Sequence, residues 1–196
     1  QYGRDYAGAR DEYIYALFPC ATDDQCYWCN NDQMLLGRVL RDQILNRRAW
    51  EFLASLDGNQ PSWHHDDRRA IPVFSYPGFT GENHIAYNVG LKRYIMGNYA
   101  FYDEHGYPRP YHQNPQPPLG TCISQLTLYE APEPWGPWRL FWRVDDWGKT
   151  NYQPAFPTKW MSADGKEMVM VSSGRNEHYT FTTQRLHLEI AEGIYE

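Results

Sequence analysis

The chain has 196 residues and a formal charge of -6, from 18 Lys plus Arg against 24 Asp plus Glu. A net-negative chain is a poor partner for a phosphate backbone, so nucleic acid is not an expected ligand. No apolar run approaches the roughly 20 residues of a bilayer-spanning helix, so no membrane partner is expected either. With 16 Tyr, 8 Trp, 8 Phe, 14 Pro and 15 Gly, the composition favours short strands and tight turns, and it is too aromatic for a disordered chain.

Taken in chain order, strands are predicted at 12–18 (EYIYALF) and 33–39 (QMLLGRV). Further strands are predicted at 84–88 (HIAYN) and 92–101 (KRYIMGNYAF), joined by a tight turn at 89–91, then at 125–131 and 138–144. The last group is 158–162 (TKWMS), 167–173 (EMVMVSS) and 179–190 (YTFTTQRLHLEI). Only 42–56 carries apolar residues at helical spacing, with Ile44, Leu45, Phe52, Leu53 and Leu56, and a short helix ended by Asp57-Gly58 is predicted there.

A weak repeat runs through these strands. YNVGLKRYIM and KWMSADGKEMVMV share one shape, an aromatic-bearing strand, a tight Gly turn and a longer apolar strand. Units near 1–70, 84–147 and 156–190 therefore read as four-stranded antiparallel β-propeller blades within one domain over 1–196, or the C-terminal portion of one. Propellers close with about four to eight blades. Three units imply further blades, from a missing N-terminal segment or a second chain. The alternative all-β architecture is a β-sandwich. The chain starts at Gln1 without an initiator Met or a signal peptide, as expected of a processed or N-terminally incomplete chain.

The cysteines are Cys20, Cys26, Cys29 and Cys122. Cys26-x2-Cys29 has a zinc-knuckle spacing, but zinc sites usually show two such pairs and only one exists here. Two disulfides pinning a loop are the preferred reading, with all three connectivities open and reduced thiols as the alternative. An even, clustered count suits an extracellular, secreted protein.

In a blade, loops between strands two and three leave on the face where the innermost strands start. Here that face gathers the long polar and aromatic loops at 19–33 and 102–121, the usual place for a binding site on a rigid scaffold. Starts of innermost strands should supply Arg4, Asp5 and Arg10, then Glu82, Asn83 and His84, then Gln153, Thr158 and Lys159 around one cavity. Such a mixture of carboxylates, imidazole and cations is what an enzyme or glycan pocket requires. Tyr27, Trp28, Tyr107 and Tyr111 in the long loops are candidates for stacking on sugar rings. Trp135 and Trp138 fall on the other face and are read as packing residues. His64-His65 and Asp66-Asp67 are adjacent on an extended segment, so they point to opposite sides and share no site. No phosphate loop, nucleophile elbow or His-Glu-x-x-His pattern is present.

YGRDYAGARDEYIYALFP, LGRVLRDQILNRRAWEFLASLDG, YNVGLKRYIM, LYEAPEPWGPW and FPTKWMSADGKEMVMVSSG together resemble a family of secreted proteins. Its members are grouped as a domain of unknown function with five-bladed β-propeller glycosidases. The resemblance spans nearly the whole chain. It implies a five-bladed propeller with a glycan-facing central cavity, related to enzymes that cleave arabinose- and fructose-containing glycans. The Cys-bearing loop and the insertion at 107–118 depart from that pattern.

The expected function is a glycoside hydrolase acting on an extracellular polysaccharide or oligosaccharide. Hydrolysis needs two carboxylates, roughly 5 to 5.5 Å apart for retention or roughly 6.5 to 9.5 Å for inversion. Asp5 and Glu82 are the candidates, with Asp11 in reserve, and Glu82 beside His84 and Tyr87 suits the acid. Arg4, Arg10 and Lys159 would hold substrate. Alternatives are a polysaccharide lyase with His84 or Tyr87 as base, and a non-catalytic glycan-binding module. No cofactor is required. Calcium stays open because propeller cavities offer oxygen ligands, although no ligand pattern calls for it.

Overall fold

The computed structural model describes residues 8–20, 31–103, 105, 122–175 and 178–191. Its regular structure is antiparallel β-sheet, interrupted by short 3-10 turns, with no α-helix among the described residues. No helix among them is long and apolar enough to cross a membrane.

The first sheet orders β1 (Tyr13–Cys20), β2 (Asn31–Leu40), β3 (Glu51–Asp57) and β4 (Gln60–His64) consecutively. The second edge of β2 is shared. Its C-terminal half pairs with β3 at Gly37 and Arg38, and its N-terminal half pairs with β5 (Pro72–Thr80). The second sheet is a meander of β6 (His84–Asn88), β7 (Arg93–Tyr102), β8 (Ile123–Ala131) and β9 (Arg139–Val144). The third orders β10 (Tyr152–Ala155), β11 (Glu167–Arg175) and β12 (His178–His187).

The second sheet lies between the other two, and its sequence shows why. Side chains alternate faces along a strand, so a strand covered on both sides must be apolar at successive positions. β7 (RYIMGNYAFY) is nearly so, and both it and β8 (ISQLTLYEA), which mixes buried Ser124, Gln125, Thr127 and Glu130 with apolar residues, are buried almost throughout. Ile95, Tyr99, Phe101, Leu126 and Leu128 pack against Met168 and Met170 of the third sheet. Met96 and Tyr129, on the opposite face, meet Met34 and Phe74 of the first. No sheet closes on itself, and the described residues show three stacked sheets.

Several expectations are corrected. The segment 42–56 is not a helix: Ile44 and Leu45 are exposed, Asn46 caps a 3-10 turn at Arg47–Ala49, and β3 follows. Asp57-Gly58 is the turn of the β3–β4 hairpin, with Gly58 at φ 56, rather than a helix stop. The first unit therefore runs on to Thr80. The third unit begins at Tyr152, and the predicted strand at 158–162 is a 3-10 turn, Thr158–Trp160. No disulfide is present among the described residues: Cys20 ends β1, Cys122 is buried just before β8, and Cys26 and Cys29 lie outside the described residues.

Trp138 lines a hollow beside Tyr129, so of the Trp pair only Trp135 is placed by ring packing among the described residues. Trp135 packs against Tyr15 and Trp63, with ring centroids at 6.5 and 6.0 Å. His64 accepts the Asp66 N–H, whereas His65 Nδ1 meets the Trp50 carbonyl oxygen. Arg10 joins the first and second sheets: it forks onto both carboxylate oxygens of Glu133 at 2.8 Å and lies 5.5 Å from the Tyr87 ring centroid. A bidentate pair this exposed contributes little more than a surface ion pair, so Arg10→Met should cost about 1 kcal/mol in urea unfolding.

Candidate functional site

Strand direction gives the stack two ends. β6 and β10 start at the same end as β7 and β11 finish. The turns at 89–91 and 162–166 lie at the opposite end, where Asn88 donates to the Gly165 carbonyl oxygen at 2.8 Å. β10 lies against β6 and β7, so the starts of two neighbouring sheets meet at the first end.

A polar cluster occupies that meeting point. The Gln153 amide donates to Glu82 Oε2 at 2.5 Å, across 71 residues of chain. Gln153 sits at φ 53, a left-handed conformation unusual for a residue with a side chain. Such backbone persists only where the surroundings hold it, and it collects at functional sites. Here Pro154, buried next to it, and the pairing of β10 with β11 hold it. Below the pair, the Glu82 N–H donates to the hydroxyl of the fully buried Tyr99. Burial raises the Tyr99 phenol above its ordinary value, and the Glu82 charge adds to the effect. The Tyr152 ring is 6.2 Å from that of Tyr99, and Ser173 reaches the Tyr152 hydroxyl at 3.3 Å.

His84 starts β6 at the same end. Burial lowers its pKa to about 4, and its Nδ1 has no hydrogen-bond partner. It is therefore a neutral imidazole at physiological pH. An unfolded chain takes up this proton near pH 6.5, so between there and pH 4 the unfolded state binds more protons. Stability should fall as pH drops through that window and level off below it. The His84 ring resonances followed by NMR should titrate near pH 4; a midpoint above 6 would contradict this burial.

The other predicted residues divide by position. Asn83 lies at the same end but turns to the other face, its amide donating towards Met96 Sδ at 3.6 Å. Arg10, Asp11 and Tyr87 do not lie at that end. β1 runs away from the end that carries the 89–91 turn, so the segment before it lies at that end. There Asp11 accepts from the Tyr13 N–H and the Tyr15 hydroxyl. The five steps from Glu82 to Tyr87 span about 16 Å of extended chain, so Asp11 cannot pair with Glu82 as a second catalytic carboxylate. Lys159 stands in the 3-10 turn after β10, over the Trp160 ring at 5.1 Å. Arg4, Asp5, Tyr27, Trp28, Tyr107 and Tyr111 lie outside the described residues.

Tyr99 and Tyr152 belong to the cluster and were not foreseen. Among the described residues no group of three or more His, Cys, Asp or Glu could hold a metal ion. The chain matches no protein-family model and no curated protein.

Proposed function

We propose that the protein is a secreted glycoside hydrolase of propeller type, in which the three stacked sheets are blades and Glu82 is the catalytic acid. The observation that carries this reading is the Glu82–Gln153 pair, held by a left-handed backbone where the first strands of two neighbouring sheets meet. A carboxyl group so oriented at one end of a rigid stack, in its protonated form, can donate that proton to a glycosidic oxygen and is left as the carboxylate. Asp5 is the proposed second carboxylate, and the sequence resemblance favours arabinose- or fructose-containing polysaccharides. Further blades would come from another segment or a partner chain. The lyase reading is weaker, because an imidazole whose pKa is lowered to about 4 is a poor base for abstracting a carbon-bound proton.

A non-catalytic glycan-binding module is the second reading. Among the described residues, Glu82 is the one nominated carboxylate in the cluster, which favours it. Mass spectrometry of products from arabinan, fructan, galactan and uronan separates the readings. Fragments that have gained water support the hydrolase, and unsaturated uronate ends would replace it with the lyase. Retention on an immobilised glycan without cleavage would leave the binding module.

A further inference from the structure

A second polar and aromatic site lies away from Glu82, along the seam between the first and second sheets. Two adjoining hollows of about 380 and about 230 Å³ share Tyr76 and Arg143 as walls. Both walls are built by irregular strands. In regular β-structure, residues three apart point to opposite faces. On β5 the left-handed Gly78, at φ 73 and tied by its N–H to the Asp32 carboxylate, brings Tyr76 and Phe79 together. Their rings stack at 5.1 Å with an interplanar angle of 23°. On β9 a register shift pairs Leu140 with Tyr129 and Arg143 with Thr127. Residues three apart thus line one groove, as a bulge that re-aims a side chain allows.

The polar groups are equally organised. Arg143 Nε and the Gln125 amide both donate to Asp145 Oδ1, at 2.5 and 3.1 Å. Tyr102 donates its hydroxyl to the Asp145 carbonyl oxygen. Gln125 is only 3% exposed, yet its carbonyl oxygen has no hydrogen-bond partner, nor has the buried indole N–H of Trp138 farther along the groove. Buried polar atoms left unpaired in this way call for a partner.

We infer that this groove is a saccharide-binding site, separate from the Glu82 cluster. A flat aromatic pair offers a platform for the C–H face of a sugar ring. A planar guanidinium beside a carboxylate offers paired donors and acceptors for vicinal hydroxyls. Nothing in the groove requires an ionic ligand, because Arg143 is already matched by Asp145.

The test uses the full chain with arabinohexaose and fructohexaose as separate probes, read by calorimetry and by Trp fluorescence. Binding is read in the Glu82→Gln background, where the proposed hydrolase would leave the probes uncleaved, and the groove variants decide whether the bound probe sits at Tyr76 and Arg143. Tyr76→Ala should weaken binding tenfold or more, and the half-exposed Arg143→Gln should do the same without touching the core. Circular dichroism establishes that each variant is folded. Binding unchanged in Arg143→Gln, or no binding of either probe to wild type, would overturn the inference whatever the Glu82 result.

Discussion

Glu82→Gln is expected to lower polysaccharide turnover by about 10²–10⁴-fold, the usual contribution of a positioned acid. The substitution is nearly isosteric. The new amide can still present a carbonyl oxygen to the Gln153 amide, so the 2.5 Å contact and the buried Tyr99 beneath need not move. What is lost is the proton the carboxylic acid would deliver. Substrate affinity and the thermal midpoint should therefore stay near wild type while kcat falls. Gln153→Ala should reduce kcat less, because it releases the Glu82 carboxyl group from its orientation but leaves a group that can still carry the proton. Product release measured by mass spectrometry at saturating substrate decides the matter: turnover within twofold of wild type in Glu82→Gln removes Glu82 from the chemistry.

The middle sheet was legible strand by strand, and the reason is physical. β7 and β8 are paired on both edges and buried almost throughout, and β6 and β9, the edge strands, are marked off by plain turn signals. The predicted strands at 84–88 and 92–101 match β6 and β7 to within one residue at each end. The first sheet was harder because its strands are shared and broken. β5 contains Pro77 and Gly78, residues that usually argue against a strand. The spacing of Phe52, Leu53 and Leu56 suited a helix, but only Leu53 is buried, and the segment pairs as an edge hairpin. β10 is four residues long and carries Pro154, too little for periodicity to register.

The candidate site divides in the same way. Glu82, Asn83 and His84 follow from where β6 begins, so topology alone places them at one end. Asp11 and Arg10 were misplaced because the segment before β1 lies at the opposite end, a matter of strand direction that no local pattern encodes. The Glu82–Gln153 contact joins residues 71 apart, and it depends on how two sheets stack. The groove beside Tyr76 is less legible still. It arises where Gly78 and the β9 bulge break the twofold alternation from which side-chain facing is read.

The docking of the second sheet on the third supplies the other large expected effect. At the end opposite Glu82, the Asn88 amide donates to the Gly165 carbonyl oxygen at 2.8 Å, and its own oxygen accepts the Leu91 N–H at 3.1 Å. Asn88 is fully buried, so neither bond can be replaced by water. Gly165 has φ 75, and a Cβ there would overlap the Asn88 side-chain oxygen. Gly165→Ala therefore combines left-handed strain of about 1–3 kcal/mol with loss of a buried hydrogen bond of about 1–3 kcal/mol. A destabilisation of about 2–6 kcal/mol is expected in urea unfolding. Asn88→Ala alone should cost about 1–3 kcal/mol, from the backbone groups it leaves unpaired. In the double variant the overlap with the Asn88 side chain disappears, while the strain and the 2.8 Å approach to the Leu91 nitrogen stay, so the combined cost should fall short of the sum. Strict additivity, or a Gly165→Ala cost below about 1 kcal/mol, would mean that the two turns do not lock these sheets together.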